Sequence, residues 1–232
     1  MITVSVIIPA YNEEKTILTV LERVAEQKID GIAFEVIVVD DGSKDRTAEL
    51  VESRPELYSR FVRQPKNGGK GAAVRAGLAA ATGDYVLFQD ADLEYDPAGW
   101  HKLMIPILKF GADVVMGSRF VAPEYTRVYY FWHQIGNRLL TFIFNILNNT
   151  TFTDIYSCYL MFRRRLVVPG ELRSDGWDQQ AEILSLAVGR SRVYYEVPVS
   201  YHGRTYDEGK KIKAYHALGV ITMILAARFR AK

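Results

Sequence analysis

The sequence has little cysteine and no long apolar run. Its 232 residues include one cysteine, Cys158, which excludes an internal disulfide and is typical of a reducing compartment. We interpret Cys158 as a packing residue. No uninterrupted apolar run reaches the roughly 18 to 20 residues that span a bilayer, and no apolar segment follows a basic N-terminus. We therefore expect neither a membrane-spanning helix nor a secretory leader.

An excess of one charge is also missing. The 29 Lys and Arg residues oppose 27 Asp and Glu residues, which leaves a net charge of +2. This balance excludes recognition of nucleic acid by bulk charge, so any anion site must be local. With 49% hydrophobic residues, the chain can bury a sizeable core.

Apolar runs and amphipathic stretches alternate through the first half of the chain. β-Branched runs predict strands at residues 4–8, 35–39, 59–62, 85–89 and 113–116, and apolar periodicity predicts helices at 13–27, 45–53, 71–81 and 98–110. Ser43 is the predicted cap of the second helix. This order indicates an α/β fold with a mostly parallel sheet covered on both faces. Ligands of such sheets lie beyond the carboxyl ends of the strands.

Acidic residues at alternate positions follow the predicted strand 85–89. In an extended chain, Asp90, Asp92 and Glu94 point to the same side. Neighbouring carboxylates repel one another, so a divalent cation with oxygen ligands is their natural partner. Mg²⁺ and Mn²⁺ also bind phosphates, which indicates a phosphorylated substrate. By itself, an Asp-x-Asp pair in a solvated turn is an equally good interpretation.

Two further strand ends carry polar or aromatic side chains. After the first strand, Pro9 ends the ladder of hydrogen bonds and Tyr11 offers a ring that can stack on a base. After the second strand, Asp41 stands beside Gly42, where a carboxylate can accept hydrogen bonds from a nucleobase or a ribose. Taken singly, each segment is more simply a strand-to-helix turn with capping acids. Together with Asp90, they indicate one site.

A glycine-rich turn at residues 67–72 precedes the third predicted helix. It can set Lys70 and backbone N–H groups against an anion. Its spacing is not that of a P-loop, and a flexible surface turn is the alternative interpretation.

Taken in order, these motifs resemble the family 2 glycosyltransferases, whose nucleotide-sugar-binding fold is called GT-A. The matching segments are residues 6–13, 38–43, 67–71, 83–92 and 117–119. Residues 153–154, 158–159 and 204–212 are similar to the dolichyl- or polyprenyl-phosphate hexose synthases. The resemblance implies one Rossmann-like GT-A domain over 1–232, with a nucleotide-sugar-binding half at 1–120 and an acceptor-binding half at 121–232.

The resemblance also implies roles for individual residues. It assigns the nucleoside to Pro9, Tyr11, Glu13 and Asp41, the diphosphate and a Mg²⁺ or Mn²⁺ cofactor to Asp90 and Asp92, and a third metal ligand to Glu94. Basic candidates for the diphosphate or the acceptor phosphate are Lys70, Arg119, Arg204, Lys210 and Lys211, although a solvated basic surface is the alternative. Asp154 is expected to orient a loop or contact substrate, and helix capping is an equal alternative. The implied catalytic residues are Asp92, Arg119 and Glu182.

Glu182 belongs to a segment, 175–183, that resembles the stretch carrying an acid near the sugar in this family; Asp178 is the second match. With a hydroxyl acceptor this acid would act as a base. A phosphate acceptor is largely ionised at pH 7 and needs no strong base, so the acid would then hold sugar hydroxyls or a cation.

Two later stretches predict amphipathic helices, at residues 133–148 and 214–229. Their apolar faces and the flanking Arg228, Arg230 and Lys232 suit a helix lying in a membrane interface. Packing against the sheet or a dimer partner is the equal alternative. A headgroup boundary would also suit the aromatic residues Tyr125, Tyr129, Tyr130, Phe131 and Trp132. A polyprenyl tail favours peripheral attachment to the cytoplasmic face of the membrane.

The predicted function is an inverting, metal-dependent transfer of a hexose from a GDP-mannose or UDP-glucose type of donor to a polyprenyl or dolichyl phosphate. The expected partners are the nucleoside-diphosphate sugar, the polyprenyl phosphate and a membrane surface, with a homodimer or a membrane-anchor subunit as further candidates. Alternatives are transfer to a glycan or small-molecule hydroxyl, and a non-catalytic nucleotide-sugar sensor. The chain departs from the family pattern at Leu160 and at 214–217, which puts the acceptor in doubt.

Overall fold

The computed structural model of the chain describes residues 1–122, 131–203 and 216–230. Within these residues the strands are β1 (Ile2–Ala10), β2 (Ile32–Asp40), β3 (Arg60–Arg63), β4 (Tyr85–Phe88), β5 (Val114–Ser118), β6 (Leu160–Arg163) and β7 (Tyr194–Pro198). The helices are α1 (Ile17–Ala25), α2 (Thr47–Glu52), α3 (Lys70–Ala80), α4 (Trp100–Phe110), α5 (Phe131–Asn148), α6 (Gln179–Gly189) and α7 (His216–Arg230).

All of these strands belong to one sheet, in the order β3-β2-β1-β4-β6-β5-β7. Strand β6 runs antiparallel to β4 and β5, whereas the other neighbouring pairs are parallel. The predicted mostly parallel α/β sheet is therefore confirmed. β6 and β7 were not predicted from the sequence.

The central strands form because their side chains are apolar on both faces. Val4, Val6, Ile7 and Ile8 of β1 have no exposed surface, as expected for a parallel strand covered by helices on both sides. Parallel strands end at one edge of the sheet. The residues that follow β1, β2 and β4 therefore lie close together at that edge.

Some predicted helix starts were wrong. α1 begins at Ile17 rather than at residue 13, since residues 11–16 form a turn in which Asn12 has a φ of 54°. α2 begins at Thr47, whose N–H donates to Asp45 at 3.0 Å. Ser43 does not cap this helix, because its hydroxyl instead accepts a hydrogen bond from the backbone N–H of Asn12.

The predicted amphipathic helices are present as α5 and α7, which pack on each other and on α6. Across the described ranges, no helix combines the length and the apolar character needed to cross a bilayer.

Candidate active site

A cavity of about 420 Å³ lies at the carboxyl ends of β1, β2 and β4. Residues from all three strand ends, from the glycine-rich turn and from the end of β5 meet there. The sequence-predicted residues that line it are Pro9, Tyr11, Glu13, Asp41, Lys70, Asp90, Asp92, Glu94 and Arg119. Asp154 and Glu182 are not among the lining residues. Arg204, Lys210 and Lys211 lie outside the described residues.

Asp41 joins the second strand end to the glycine-rich turn. Its carboxylate accepts hydrogen bonds from the backbone N–H groups of Gly68 and Gly69, each at 2.9 Å. Burial raises the pKa of Asp41, and the two N–H groups partly oppose that shift. The remaining lone pairs of its oxygens leave it able to accept a hydrogen bond from a ligand in the cavity.

The glycine-rich turn is packed rather than free on the surface. Gly69 has a φ of +91°, and a Cβ there would lie 2.4 Å from the carbonyl oxygen of Asp175. A Cβ on Gly71 would lie 2.3 Å from the carbonyl oxygen of Ser174. Only glycine allows this close approach, so the turn and segment 174–177 together form one wall of the cavity.

Lys70 begins α3 and pairs with Asp90, with 2.5 Å between Nζ and Oδ1. Its ammonium also lies 5.5 Å from the centre of the Trp177 ring. Burial opposes its charge, but the negative charge of Asp90 raises the pKa of Lys70 overall, so it is a cation at neutral pH. A bound diphosphate would compete with Asp90 for this ammonium group.

Arg119, after β5, is held by Asp154 in a bidentate ion pair. Nε lies 2.6 Å from Oδ2 and Nη2 lies 2.8 Å from Oδ1, and the Asp154 side chain has no exposed surface. The carboxylate of Asp154 also accepts the N–H of Tyr156, but no helix begins there, so the helix-capping alternative is wrong. Burial opposes the positive charge, yet Asp154 raises the pKa of Arg119 well above its usual value. Asp154 therefore orients Arg119, which faces the cavity.

Glu196 of β7 supports this ion pair from behind. Its carboxylate accepts hydrogen bonds from the backbone N–H groups of Thr153 and Asp154 and from the hydroxyl of Thr153. Burial raises the pKa of Glu196 despite these hydrogen bonds. Residues 153–154 are thus fixed between β7 and Arg119.

The three predicted metal ligands do not form a closed site. Asp90 pairs with Lys70, and Glu94 accepts a hydrogen bond from the Tyr201 hydroxyl at 3.1 Å. In the part of the chain that the structure describes, no three His, Cys, Asp or Glu side chains come together closely enough to hold a metal ion. Mg²⁺ commonly uses only one or two carboxylates together with substrate phosphates. Asp90 and Asp92, which both line the cavity, fit that mode of binding.

The expectation that Glu182 acts near the sugar is not met by its position. Its carboxylate is fully buried and accepts hydrogen bonds from the backbone N–H groups of Arg173 and Ser174. It also forms an ion pair with Arg230 of α7. Asp178 is likewise engaged, because its carboxylate accepts the Ser174 hydroxyl. Both acids hold segment 173–178 in place, and neither lines the cavity.

Several cavity residues were missed by the sequence reasoning, namely Tyr95, Tyr156, Cys158, Trp177, Gln179, Gln180 and Tyr201. Cys158 was interpreted as a packing residue, and burial does raise its pKa and keep the thiol protonated. Trp177, Gln179 and Gln180 belong to the segment that was singled out for its acids. Neutral residues in that segment match no sequence motif that would predict a binding role.

Comparison with known proteins agrees with this geometry. The model of Glycosyl transferase family 2 matches residues 5–168. The chain therefore belongs to glycosyl transferase family 2, and the predicted family and the predicted class of enzyme, a glycosyltransferase, are confirmed.

Two curated relatives show the similarity at the level of individual proteins. A dolichol-phosphate mannosyltransferase from Pyrococcus furiosus is 31% identical over 89% of this chain and 58% of its own length. An undecaprenyl-phosphate 4-deoxy-4-formamido-L-arabinose transferase from Pseudomonas aeruginosa is 31% identical over 95% of this chain and 62% of its own length. The chain thus spans roughly three fifths of the length of these relatives.

Solved structures share the fold. Glucosyl-3-phosphoglycerate synthase from Mycobacterium tuberculosis, in complex with Mn²⁺, UDP and glucosyl-3-phosphoglycerate, superposes with a TM-score of 0.70 over 98% of this chain and 80% of that one, at 24% identity. The same enzyme with Mg²⁺ and UDP gives a TM-score of 0.70, the same coverage and 23% identity. These likenesses confirm the predicted GT-A fold.

Proposed function

We propose that this chain transfers a hexose from a nucleoside-diphosphate sugar to a polyprenyl phosphate, with inversion at the anomeric carbon and with Mg²⁺ or Mn²⁺ at Asp90 and Asp92. An oxygen of the acceptor phosphate forms the new bond to the anomeric carbon while the bond to the diphosphate breaks. This displacement needs no nucleophile from the protein. In this proposal, residues 1–120 bind the nucleotide sugar and residues 121–232 bind the acceptor. Described residues of both parts line the cavity.

The observation that carries the proposal is the arrangement of charge in one cavity. Lys70 and Arg119 are both held as cations, and the carboxylates of Asp90 and Asp92 lie at the same strand end. Cations aimed at developing negative charge stabilise a leaving diphosphate. A divalent ion, when bound, neutralises further charge on that leaving group.

A phosphate acceptor fits the acids better than a hydroxyl acceptor does. Glu182 and Asp178, the two candidates for a base, are engaged with segment 173–174 and do not line the cavity. A phosphate is ionised at neutral pH and does not need such a base. Both curated relatives carry a polyprenyl phosphate in their names, dolichol phosphate in one and undecaprenyl phosphate in the other.

The surface of α5 supports attachment to the membrane that would hold such an acceptor. Exposed apolar side chains recur along one face of this helix at Trp132, Ile135, Leu139, Phe142 and Ile146. Their spacing places them in one stripe, as in helices that lie in a membrane interface.

The first test is turnover. The purified protein is incubated with Mn²⁺ or Mg²⁺, a short-chain polyprenyl phosphate and a panel of GDP- and UDP-sugars, and the products are measured by mass spectrometry. We expect equal amounts of nucleoside diphosphate and lipid-linked sugar with one donor, and loss of both products when EDTA removes the metal.

Matched variants sharpen this test. Asp92→Asn is expected to lower turnover by roughly 100-fold or more, whereas Asp30→Asn, at an exposed position, leaves it unchanged. Donor hydrolysis without lipid product would favour a hydroxyl acceptor. A protein that binds no nucleotide sugar would contradict the transferase proposal.

Membrane attachment is tested separately by flotation with anionic vesicles. The paired change Leu139→Ser and Phe142→Ser is expected to release the protein from the vesicles. Leu108→Ser, at an exposed position of α4, serves as the control. Equal flotation of all three proteins would contradict attachment through α5.

A further inference from the structure

Two buried polar atoms in the cavity wall have no hydrogen-bond partner. The side-chain oxygen Oε1 of Gln179 and the hydroxyl of Tyr156 are both inaccessible to solvent and unpaired in the described part of the chain. Gln179 is only 4% exposed, and both residues line the cavity. Buried polar groups in proteins are almost always satisfied. Of the six unpaired buried side-chain atoms among the described residues, these two belong to residues that line the cavity, where a bound ligand can supply the missing partners.

The neighbouring glutamine shows what a structural amide does at this place. The Nε2 group of Gln180 donates to the carbonyl oxygens of Ile155 and Ser157. Gln180 therefore ties α6 to segment 155–157. Gln179 occupies the first position of the same helix, and its Oε1 has no such structural partner.

The charge of the residues that line the cavity differs from one part of the cavity to another. Pro9 lies within β1, where the ladder continues to Ala10 instead of ending at the proline as expected, and Tyr11 and Asp41 follow β1 and β2. The charged part of the lining comes from Lys70, which pairs with Asp90, and from Arg119. The lining supplied by Tyr156, Trp177 and Gln179 is neutral, aromatic and polar. The part of a nucleoside-diphosphate sugar that matches a neutral lining with an unpaired acceptor is the sugar, which is uncharged and rich in O–H donors.

We propose that Gln179 and Tyr156 form the subsite for the transferred sugar, with Gln179 Oε1 accepting a hydrogen bond from one sugar hydroxyl and the Tyr156 hydroxyl bonding to another. This inference rests on the proposed function and adds to it the residues that select the sugar. Burial, together with the nearby charge of Asp178, raises the pKa of Tyr156, so the phenol stays neutral and can both donate and accept. A site that pairs with a substrate hydroxyl discriminates strongly against a donor that lacks it.

The subsite is tested by isothermal titration calorimetry with Mn²⁺ present, using UDP, GDP, UDP-glucose and GDP-mannose. The measured quantity is the ratio of the Kd for the nucleotide sugar to the Kd for the matching nucleoside diphosphate. In Gln179→Met, which keeps the length of the side chain but loses the acceptor, we expect this ratio to rise roughly 5- to 50-fold. The Kd for the nucleoside diphosphate alone should not change.

Two further variants separate recognition from structure. Gln179→Glu keeps an acceptor oxygen and is expected to keep the wild-type ratio to within a few-fold, while Tyr156→Phe raises it without changing the binding of the nucleoside diphosphate. Tyr156→Phe still tests the subsite if Gln179→Met does not fold.

Three outcomes would overturn the inference. An unchanged ratio in both Gln179→Met and Tyr156→Phe would show that these groups do not contact the sugar. Equal losses for sugar-bearing and sugar-free nucleotides would show a structural role instead. Wild-type protein that binds no nucleotide at all would overturn the proposed function and this inference together, whereas the first two outcomes leave the proposed function intact.

Discussion

Two buried arginine–carboxylate pairs occur in the described chain, and they do different things. Asp154 holds Arg119, and Glu182 holds Arg230. Neither carboxylate has any exposed surface, and each also accepts backbone N–H groups. Arg119 lines the cavity, whereas neither Glu182 nor Arg230 does.

The difference lies in what else the arginine contacts. The guanidinium of Arg119 stands over the Tyr201 ring at 5.1 Å and borders the cavity, so its charge remains available to a ligand. The guanidinium of Arg230 donates to the carbonyl oxygen of Glu171 as well as to Glu182. That pair fastens α7 to α6. A buried carboxylate paired with an arginine is therefore not enough to identify a functional site. What distinguishes the two pairs is whether the arginine borders the cavity.

The largest effect that would separate the two pairs is expected from Arg119→Lys. A lysine lacks the fork that bonds Asp154 in two places and cannot present charge in the same direction. We expect kcat/KM to fall roughly 100-fold, measured by release of nucleoside diphosphate. Arg230→Lys is the matched variant and should leave kcat/KM of the folded protein unchanged; comparable losses in both variants would remove the distinction.

The second effect concerns stability. Glu182→Gln leaves Arg230 without its buried counter-charge, so the free energy of unfolding should fall by about 3 kcal/mol, as measured by urea denaturation. The kcat/KM of the folded fraction should persist. Glu171→Gln, which removes a partly exposed partner of Arg190, should change stability far less. Loss of activity at unchanged stability would instead return Glu182 to a catalytic role.

A smaller loss of activity is expected from Asp154→Asn, because a neutral partner holds Arg119 less firmly. We expect kcat/KM to fall roughly 10-fold. If Asp154 acts through Arg119, the double variant with Arg119→Lys should lose little more than Arg119→Lys alone. Additive losses in this double-mutant cycle would mean that Asp154 contacts the substrate independently.

The smallest effect is a pH dependence at Glu196. Burial raises the pKa of this carboxyl above 4.5 in the folded protein, so its contribution to stability is present below pH 4.5 and is lost as the pH rises through the folded-state pKa. The Tm of the wild type should therefore rise relative to that of Glu196→Gln as the pH is lowered from 7 toward 4.

Glu49 provides a control of opposite sign. Its hydrogen bond and ion pair with Arg46 lower its pKa, so any stability it contributes is present above pH 4.5 and is lost as the pH falls. The Tm of the wild type should then fall relative to that of Glu49→Gln over the same pH range. Parallel trends for the two variants would contradict this assignment.

The strands of the first half were predictable because their signal is local. β1, β2 and β4 are rich in apolar residues, and the structure places each within a few residues of the prediction. β6 and β7 were not predicted, because β6 is inserted antiparallel between β4 and β5 and β7 pairs with β5 from a distant part of the sequence. Such a pairing depends on contacts far apart in sequence.

The candidate site divides in the same way. Tyr11, Asp41 and Asp90 follow parallel strands, so their meeting at one sheet edge follows from the strand pattern. Glu182 was misplaced because the resemblance identified a segment but not which of its residues reach the cavity. The structure brings Gln179, at the start of α6, into the cavity wall, and Glu182, about one helical turn further on, against Arg230.

The sequence by itself determined the α/β class, the family and the strand ends that supply Tyr11, Asp41 and Asp90. These features depend on the local order of residues, in which apolar strand segments alternate with amphipathic helical segments. Only the tertiary structure decided that Lys70 pairs with Asp90, that Asp154 holds Arg119 and that neutral residues of α6 line the cavity. Those contacts depend on how α6 and β7 pack against distant strands. That packing is set by close-fitted burial over the whole core rather than by any short motif.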